Sequence, residues 1–182
     1  MNAHDPSISR READSVACES FRSAMRHLAS GVSVITTGEG EHRTGLTATS
    51  VSSLSMEPPA LVVCINRTST TLQAMRENLV FGVNFLAAGH RELADRFAGL
   101  GNVSGAARYQ GGEWISLVTG APILVDALAA VDCTIDTIME WSTHAMVIGR
   151  VVAVHQPGGE QALVHWRRSY LCLLYTSPSP RD

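Results

Sequence analysis

The chain has 182 residues, 45% hydrophobic and 17% charged, with a formal net charge of −3. That apolar content excludes disorder along the whole length, and no apolar run approaches the ~18–20 residues that span a bilayer. All fourteen basic residues are Arg and none is Lys, which excludes P-loop and Schiff-base lysine chemistry; with no long basic stretch, nucleic acid is not the expected partner.

Residues 1–18 carry charges but no apolar core and read as a flexible N-terminal tail, not a secretory signal. A helix is predicted over Phe21–Ser30, with Phe21, Met25 and Leu28 on one face and Gly31 as its stop. The β-branched run Val32–Thr37 reads as a strand, Gly38–Glu41 as a turn, and Thr44–Ser53 as a second strand. Glu57-Pro58-Pro59 breaks the chain before a buried strand over Ala60–Ile65. Thr70 and Gln73 fit a capping box opening a helix to about Asn78 that buries Leu72, Met75 and Leu79. Val80–Leu86 is the next strand, and His90–Phe97 the next helix, with Leu93 and Phe97 inward. Gly101–Gly112 reads as a loop. Leu128–Trp141 and His144–His155 form a hairpin joined at Ser142-Thr143, and Leu163–Arg168 is the last strand. Six or seven strands with only short helices between them predict a barrel rather than a doubly wound sheet.

Cys18, Cys64, Cys133 and Cys172 form no CxxC pair and no metal-ligand spacing. They read as reduced thiols of a cytoplasmic protein, Cys64 and Cys133 as small buried hydrophobes. Residues 172–182 have a different texture, and CLLYTSPSPRD resembles the translation of a DNA-library adaptor. The expected domain is therefore 19–171, followed by a non-native end.

Three segments are candidates for chemistry. Thr47, Ala48, Thr49, Ser50 and Val51 put hydroxyls on both faces of a strand, which suits either a flat polar ligand or an exposed edge. Asn66, Arg67, Ser69 and Thr70 lie between a strand and a helix N-terminus, where free amides and the dipole attract anions; plain capping needs only one of them. Arg96 ends a helix, where its charge already complements the dipole, and His144 opens a strand. No HExxH or GxSxG motif is present, so neither a metal centre nor a hydrolase triad is expected.

The blocks FRSAMRHLASGVSVITT, GLTATSVSSLSMEPPALVVCINRTSTT, FGVNFLA and ADRFAG occur in an order and spacing that resemble the short-chain flavin reductases. These are the flavin reductase components of two-component flavin-dependent monooxygenases. The resemblance covers Phe21–Leu171. It implies a mainly β chain with short helices, a split β-barrel of Greek-key type that binds FMN or FAD, and a homodimer. By the same resemblance, Thr47, Ala48, Thr49, Ser50 and Val51 line the flavin ring and ribityl chain. Asn66, Ser69 and Thr70 lie near the ribityl and phosphate, where Arg67 is a candidate by its charge alone; Asn84, Phe85 and Leu86 border the flavin, and Arg96 with Phe97 closes the phosphate side. The family's Gly-Asp-His is Ser142-Thr143-His144 here, and its Arg-Gly-Arg is Arg167-Arg168. His144, as the catalytic candidate, Arg168 and Tyr170 fall to the nicotinamide nucleotide. The implied activity is hydride transfer from NADH or NADPH to FMN or FAD, with reduced flavin passing by diffusion to an oxygenase partner. A flavin-binding module without turnover and an oxidase of the pyridoxamine-phosphate type are the alternatives.

Overall fold

The structure is a computed structural model that describes residues 18–159 and 161–173. The expected N-terminal tail up to residue 17 and the adaptor-like end beyond Leu173 lie outside the described residues. In chain order the elements are α1 (Cys18–Met25), β1 (Ser30–Gly31), β2 (Ser33–Thr37), β3 (Thr44–Ala48), β4 (Val51–Met56), β5 (Pro59–Asn66), α2 (Thr70–Asn78), β6 (Val80–Phe85) and α3 (Arg91–Phe97). They continue with β7 (Trp114–Ser116), β8 (Pro122–Leu124), β9 (Ala129–Trp141), β10 (His144–His155), β11 (Leu163–Trp166) and β12 (Ser169–Cys172). Among the described residues no helix is long and apolar enough to cross a membrane.

Seven antiparallel strands form the main sheet in the order β3-β2-β6-β9-β10-β5-β4. Its two edge strands, β3 and β4, follow each other in sequence with only Thr49-Ser50 between them. Two residues span no more than ~7 Å of chain, so the sheet curls until its edges approach at that corner, yet no ladder joins them. This is the expected split barrel. The β9–β10 hairpin supplies its length, and register shifts at Ile148/Gly149 and Val151/Ala153 bend it. A Cβ at Gly149 would enter the Phe81 ring, so the bend needs glycine there.

Period-two alternation sorts the strands into two cores. On one face Ile35, Leu61, Val63, Ile65, Phe81, Val83, Ala145 and Val147 pack together and are capped by Leu72 and Met75 of α2. On the other, Val32, Val34, Leu86 and Ile123 pack against Leu93, Ala94 and Phe97 of α3 and against Tyr109. Each such aliphatic side chain contributes about 1.5–3 kcal/mol by leaving water, so the two faces together hold the helices at the rim of the sheet.

Several local expectations are corrected. Helix α1 starts at Cys18 and stops at Met25, and Phe21, Met25 and Leu28 are exposed. Gly31 is a strand residue pairing with β11. The run Thr44–Ser53 is two strands, because the chain must cross from one sheet edge to the other at Thr49-Ser50. The N-cap of α2 is Ser69, whose hydroxyl accepts from the Thr71 amide; Gln73 turns to Glu77 instead of closing a box. Leu79 is exposed with φ 58°, the left-handed cap of α2. The last predicted strand ends at Trp166; Arg167 and Arg168 form a turn into β12. The short pair β7–β8 was not expected.

Candidate functional site

Where the sheet edges approach, a cleft of about 990 Å³ opens. Its walls come from three places. The end of β3 and the corner give Thr47, Ala48, Thr49 and Ser50; the end of β5 and the start of α2 give Asn66, Ser69 and Thr70; His144 enters from β10 and Phe97 from α3. These nine sequence candidates therefore converge on one cavity.

Local chemistry explains how each is held. Thr47 donates to the Ala94 carbonyl at 2.6 Å and ties β3 to α3, while Ser50 donates to the Cys64 carbonyl at 2.7 Å and extends the β4–β5 register by one position. The Asn66 carboxamide accepts from the Thr68 amide and hydroxyl, both at 2.9 Å, folding an Asx turn that presents α2. Ser69 caps that helix. The Thr70 amide, a first-turn donor with no intrahelical acceptor, is left at its positive end beside the cleft. His144 stands opposite Asn66 across the β5–β10 ladder. Its Nδ1 lies 2.9 Å from the Thr143 hydroxyl, which leaves Nε2 for a ligand.

Eight candidates are placed elsewhere or at the margin. Arg67 does not line the cleft: Nη2 pairs with Glu140 at 2.6 Å and Nη1 donates to the Ser142 carbonyl at 3.0 Å. Asn84 is fully buried; its amide donates to the Val34 carbonyl at 3.1 Å and accepts from the Leu124 amide at 2.7 Å, so it joins β2, β6 and β8 inside the core. Leu86 is a core residue of the α3 side. Phe85 and Val51 lie together in a separate apolar groove. Arg96 spends Nη2 on the Ala107 carbonyl and the Gln110 side chain, at 3.0 and 2.9 Å, and does not reach the cleft. Arg168 lines a neighbouring cavity. Tyr170 packs against the α3-side core under Arg91, and burial and Asp95 push its phenol pKa up, with Arg91 opposing them.

Eight lining residues were not candidates, and Arg108 and Cys64 are the two of them that bring a charge or a thiol. Arg108 enters from the loop before β7, held by Nε donating to the Val103 carbonyl at 3.1 Å and by Nη1 donating to the Gly45 carbonyl. A lone Arg in a glycine-rich loop offers no sequence signal for this. Cys64 read as a buried hydrophobe, but it is only half-buried and lines the cleft; its place near the end of β5, opposite the corner at Ser50, brings it there.

The cleft fits a flavin by its own chemistry. It has an amphipathic wall long enough for a flat ring, hydroxyl donors along one side, and a helix N-terminus with Ser69 and Thr70 for a phosphate. Comparison with known proteins agrees. Residues 25–173 match the flavin reductase like domain model. The chain is 42% identical over 160 residues to FMN reductase (NADH) RutF 2 of Methylorubrum extorquens, covering 88% of this chain and 92% of that protein. It is 40% identical over 152 residues to FMN reductase (NADH) RutF 2 of Rhizobium rhizogenes, covering 84% and 87%. Among solved structures, BorF, the flavin reductase component of a bacterial two-component tryptophan halogenase, superimposes with a TM-score of 0.80 at 27% identity, over 88% of this chain and 100% of that one. Flavin reductase HpaC complexed with NADP+ gives 0.76 at 27% identity, over 86% and 98%. With the split barrel, the hydroxyl-lined cleft and the helix N-terminus all in place, the chain belongs to the flavin reductase like domain family.

Proposed function

We propose that the protein is an NADH-dependent flavin reductase that reduces FMN and releases it to a separate oxygenase. The observation that carries this reading is the convergence of Thr49, Ser50, Ser69, Thr70 and His144 on one open cleft, in a chain whose relatives are named FMN reductase (NADH). Flavin held there would accept a hydride from the reduced nicotinamide.

The chain's own residues do the rest. The Thr70 amide, with the Ser69 and Thr70 hydroxyls, would hold the phosphate end. Thr49 and Ser50 set the ring against the split, and Phe97 supplies an apolar wall. His144 Nε2 donates a hydrogen bond that orients the nicotinamide. Proximity and orientation suffice for such a transfer, which is why the cleft holds no paired general acid and base. Contacts made by hydroxyls and amides rather than by deep burial suit a flavin that must leave.

A second copy of the chain completes the reading. Phe85 and Val51 share their apolar groove with Met56 and Val154, which are 76% and 60% exposed. Leu54 and Val152 are exposed nearby on the same strands. Apolar surface of this extent calls for cover, and a homodimer provides it.

The test is NADH oxidation followed by absorbance, with FMN, FAD or riboflavin added in turn. Oxidation that depends on added flavin supports the reductase and ranks the flavins. Tight flavin binding with no oxidation of NADH or NADPH would overturn it in favour of a non-turnover flavin module.

A further inference from the structure

A second cavity of about 450 Å³ meets the cleft at Met25, Thr49 and Ser50. Ser69 and Thr70 line the cleft but not this cavity. Arg22, Arg26 and Arg168 line it together with His165, and no carboxylate does. Among the described residues none of these three guanidiniums enters an ion pair. Like charges gathered without a counter-charge repel one another and raise the local concentration of anions.

The gathering is built by the fold. Arg22 and Arg26 come from α1 and its exit, Arg168 from the turn between β11 and β12. The two segments are pinned to each other by the Arg167 amide donating to the Arg26 carbonyl at 3.1 Å and by Trp166 Nε1 donating to the His27 carbonyl at 3.3 Å. The turn itself is strained. Arg167 and Arg168 have φ of 49° and 66°, where two-residue hairpin turns prefer Asn-Gly and a non-glycine residue is held at a cost. Arg167 stacks on Trp166 at 4.6 Å; Arg168 lines the cavity. Strain retained at a cationic position beside a binding cleft points to a charge with a task.

We propose that Arg22, Arg26 and Arg168 form a second phosphate subsite, which takes the adenosine-phosphate end of a dinucleotide whose reacting ring lies in the cleft. This rests on the flavin reading of the cleft. FMN has one phosphate, and the α2 N-terminus accounts for it. FAD and NADH both carry a pyrophosphate joined to adenosine, and guanidinium forks match phosphate oxygens. The shared chemistry is thus the adenosine diphosphate moiety, and the same experiment separates its two sources.

The experiment compares wild type with the R22Q/R26Q double variant. Arg22 is exposed on α1 and Arg26 is half-buried just beyond its end, neither in the core, so the variant should fold; R22K/R26K, which keeps the charges, is the control. ADP is titrated calorimetrically, FMN and FAD by flavin fluorescence, and KM for NADH is measured with FMN. The expected result is about tenfold weaker ADP binding in R22Q/R26Q, substantial retention in R22K/R26K, and unchanged FMN affinity. A parallel loss of FAD affinity would assign the subsite to FAD. A raised KM for NADH with FAD affinity intact would assign it to the hydride donor. ADP that fails to bind wild type, ADP that binds R22Q/R26Q equally well, or FMN affinity that falls as far as that of ADP overturns the proposal. ADP binding needs no turnover, so a wild type that binds ADP through these arginines but oxidises no NADH would sink the reductase reading and leave the subsite standing.

Discussion

The Arg67 guanidinium is paired with Glu140 at 2.6 Å and so faces the β9–β10 hairpin tip instead of the cleft. Arg76 meets the other oxygen of Glu140 at 2.5 Å, and the Arg67 amide donates to the Thr143 carbonyl at 3.0 Å. The side chains are 45%, 42% and 42% exposed, so each pair contributes at most about 1 kcal/mol. What the network does is fix the turn immediately before His144. Arg67→Ala is therefore expected to leave FMN affinity within about twofold of wild type. Ser69→Ala removes a cap and a phosphate donor, and should weaken FMN binding by about fivefold or more. Fluorescence titration of FMN checks both; equal losses would place Arg67 back at the phosphate.

Cys64 and Cys133 make a second contrast. Cys64 is half-buried on the cleft wall. Cys133 is fully buried, and its thiol is pushed up to about 12 by burial, with the Asp132 carboxylate adding to the effect. Only a thiolate alkylates readily. Iodoacetamide should therefore modify the exposed Cys18 and Cys172 first, Cys64 more slowly, and Cys133 only after unfolding. Saturating FMN should slow the reaction at Cys64 alone. Peptide mass spectrometry reads all four sites, and a Cys64 rate indifferent to FMN would remove it from the flavin wall.

Hydroxyls on both faces of residues 47–52 were visible in the sequence, and so was their ambiguity between ligand wall and sheet edge. In the structure the two readings do not exclude each other, because the edge strand β3 also walls the cleft. The break at Thr49-Ser50 was not legible, since every residue from Thr44 to Ser53 except Gly45 is compatible with a strand and the crossing is set by which edges meet. Asn84 runs the other way: the resemblance set it beside the flavin, but its carboxamide is spent inside the core on the Val34 carbonyl and the Leu124 amide. Its partner strand β8 has only three residues, too few to show a period. Arg108 and the Arg22, Arg26, Arg168 group depend on contacts between distant segments, which no local pattern encodes.

The buried Cys133 thiol also sets a pH dependence. An unfolded cysteine ionises near 9.0, whereas the folded one holds its proton to about 12. Between these values the native state binds one proton more than the unfolded state, so stability must fall as pH rises, by about 1.4 kcal/mol per unit. Below pH 9 the group contributes no slope. Cys133→Ala should flatten the fall between pH 9 and 10, at the cost of a small cavity. Urea midpoints across that interval decide the matter: parallel curves for wild type and variant would mean that Cys133 is not the titrating group.

Next to it, Asp132 is a fully buried carboxylate with three donors. It accepts from the Val118 and Thr119 amides, each at 2.8 Å, and from the Thr119 hydroxyl, and so ties the loop between β7 and β8 to the middle of β9. Bonds to a charged acceptor are worth about 1.5–3 kcal/mol each, and a donor left buried without a partner costs about as much. Asp132→Ala should therefore destabilise the protein by about 3–5 kcal/mol, the range for breaking a buried charge network. Asp132→Asn preserves shape, but its amide nitrogen would turn a donor toward donors, so most of the loss should remain. The loop does not line the cleft proposed for flavin, and FMN affinity measured in the cold, where both variants stay folded, should match wild type. An Asp132→Asn protein with the wild-type urea midpoint would show that the carboxylate charge is dispensable and that shape alone anchors the loop.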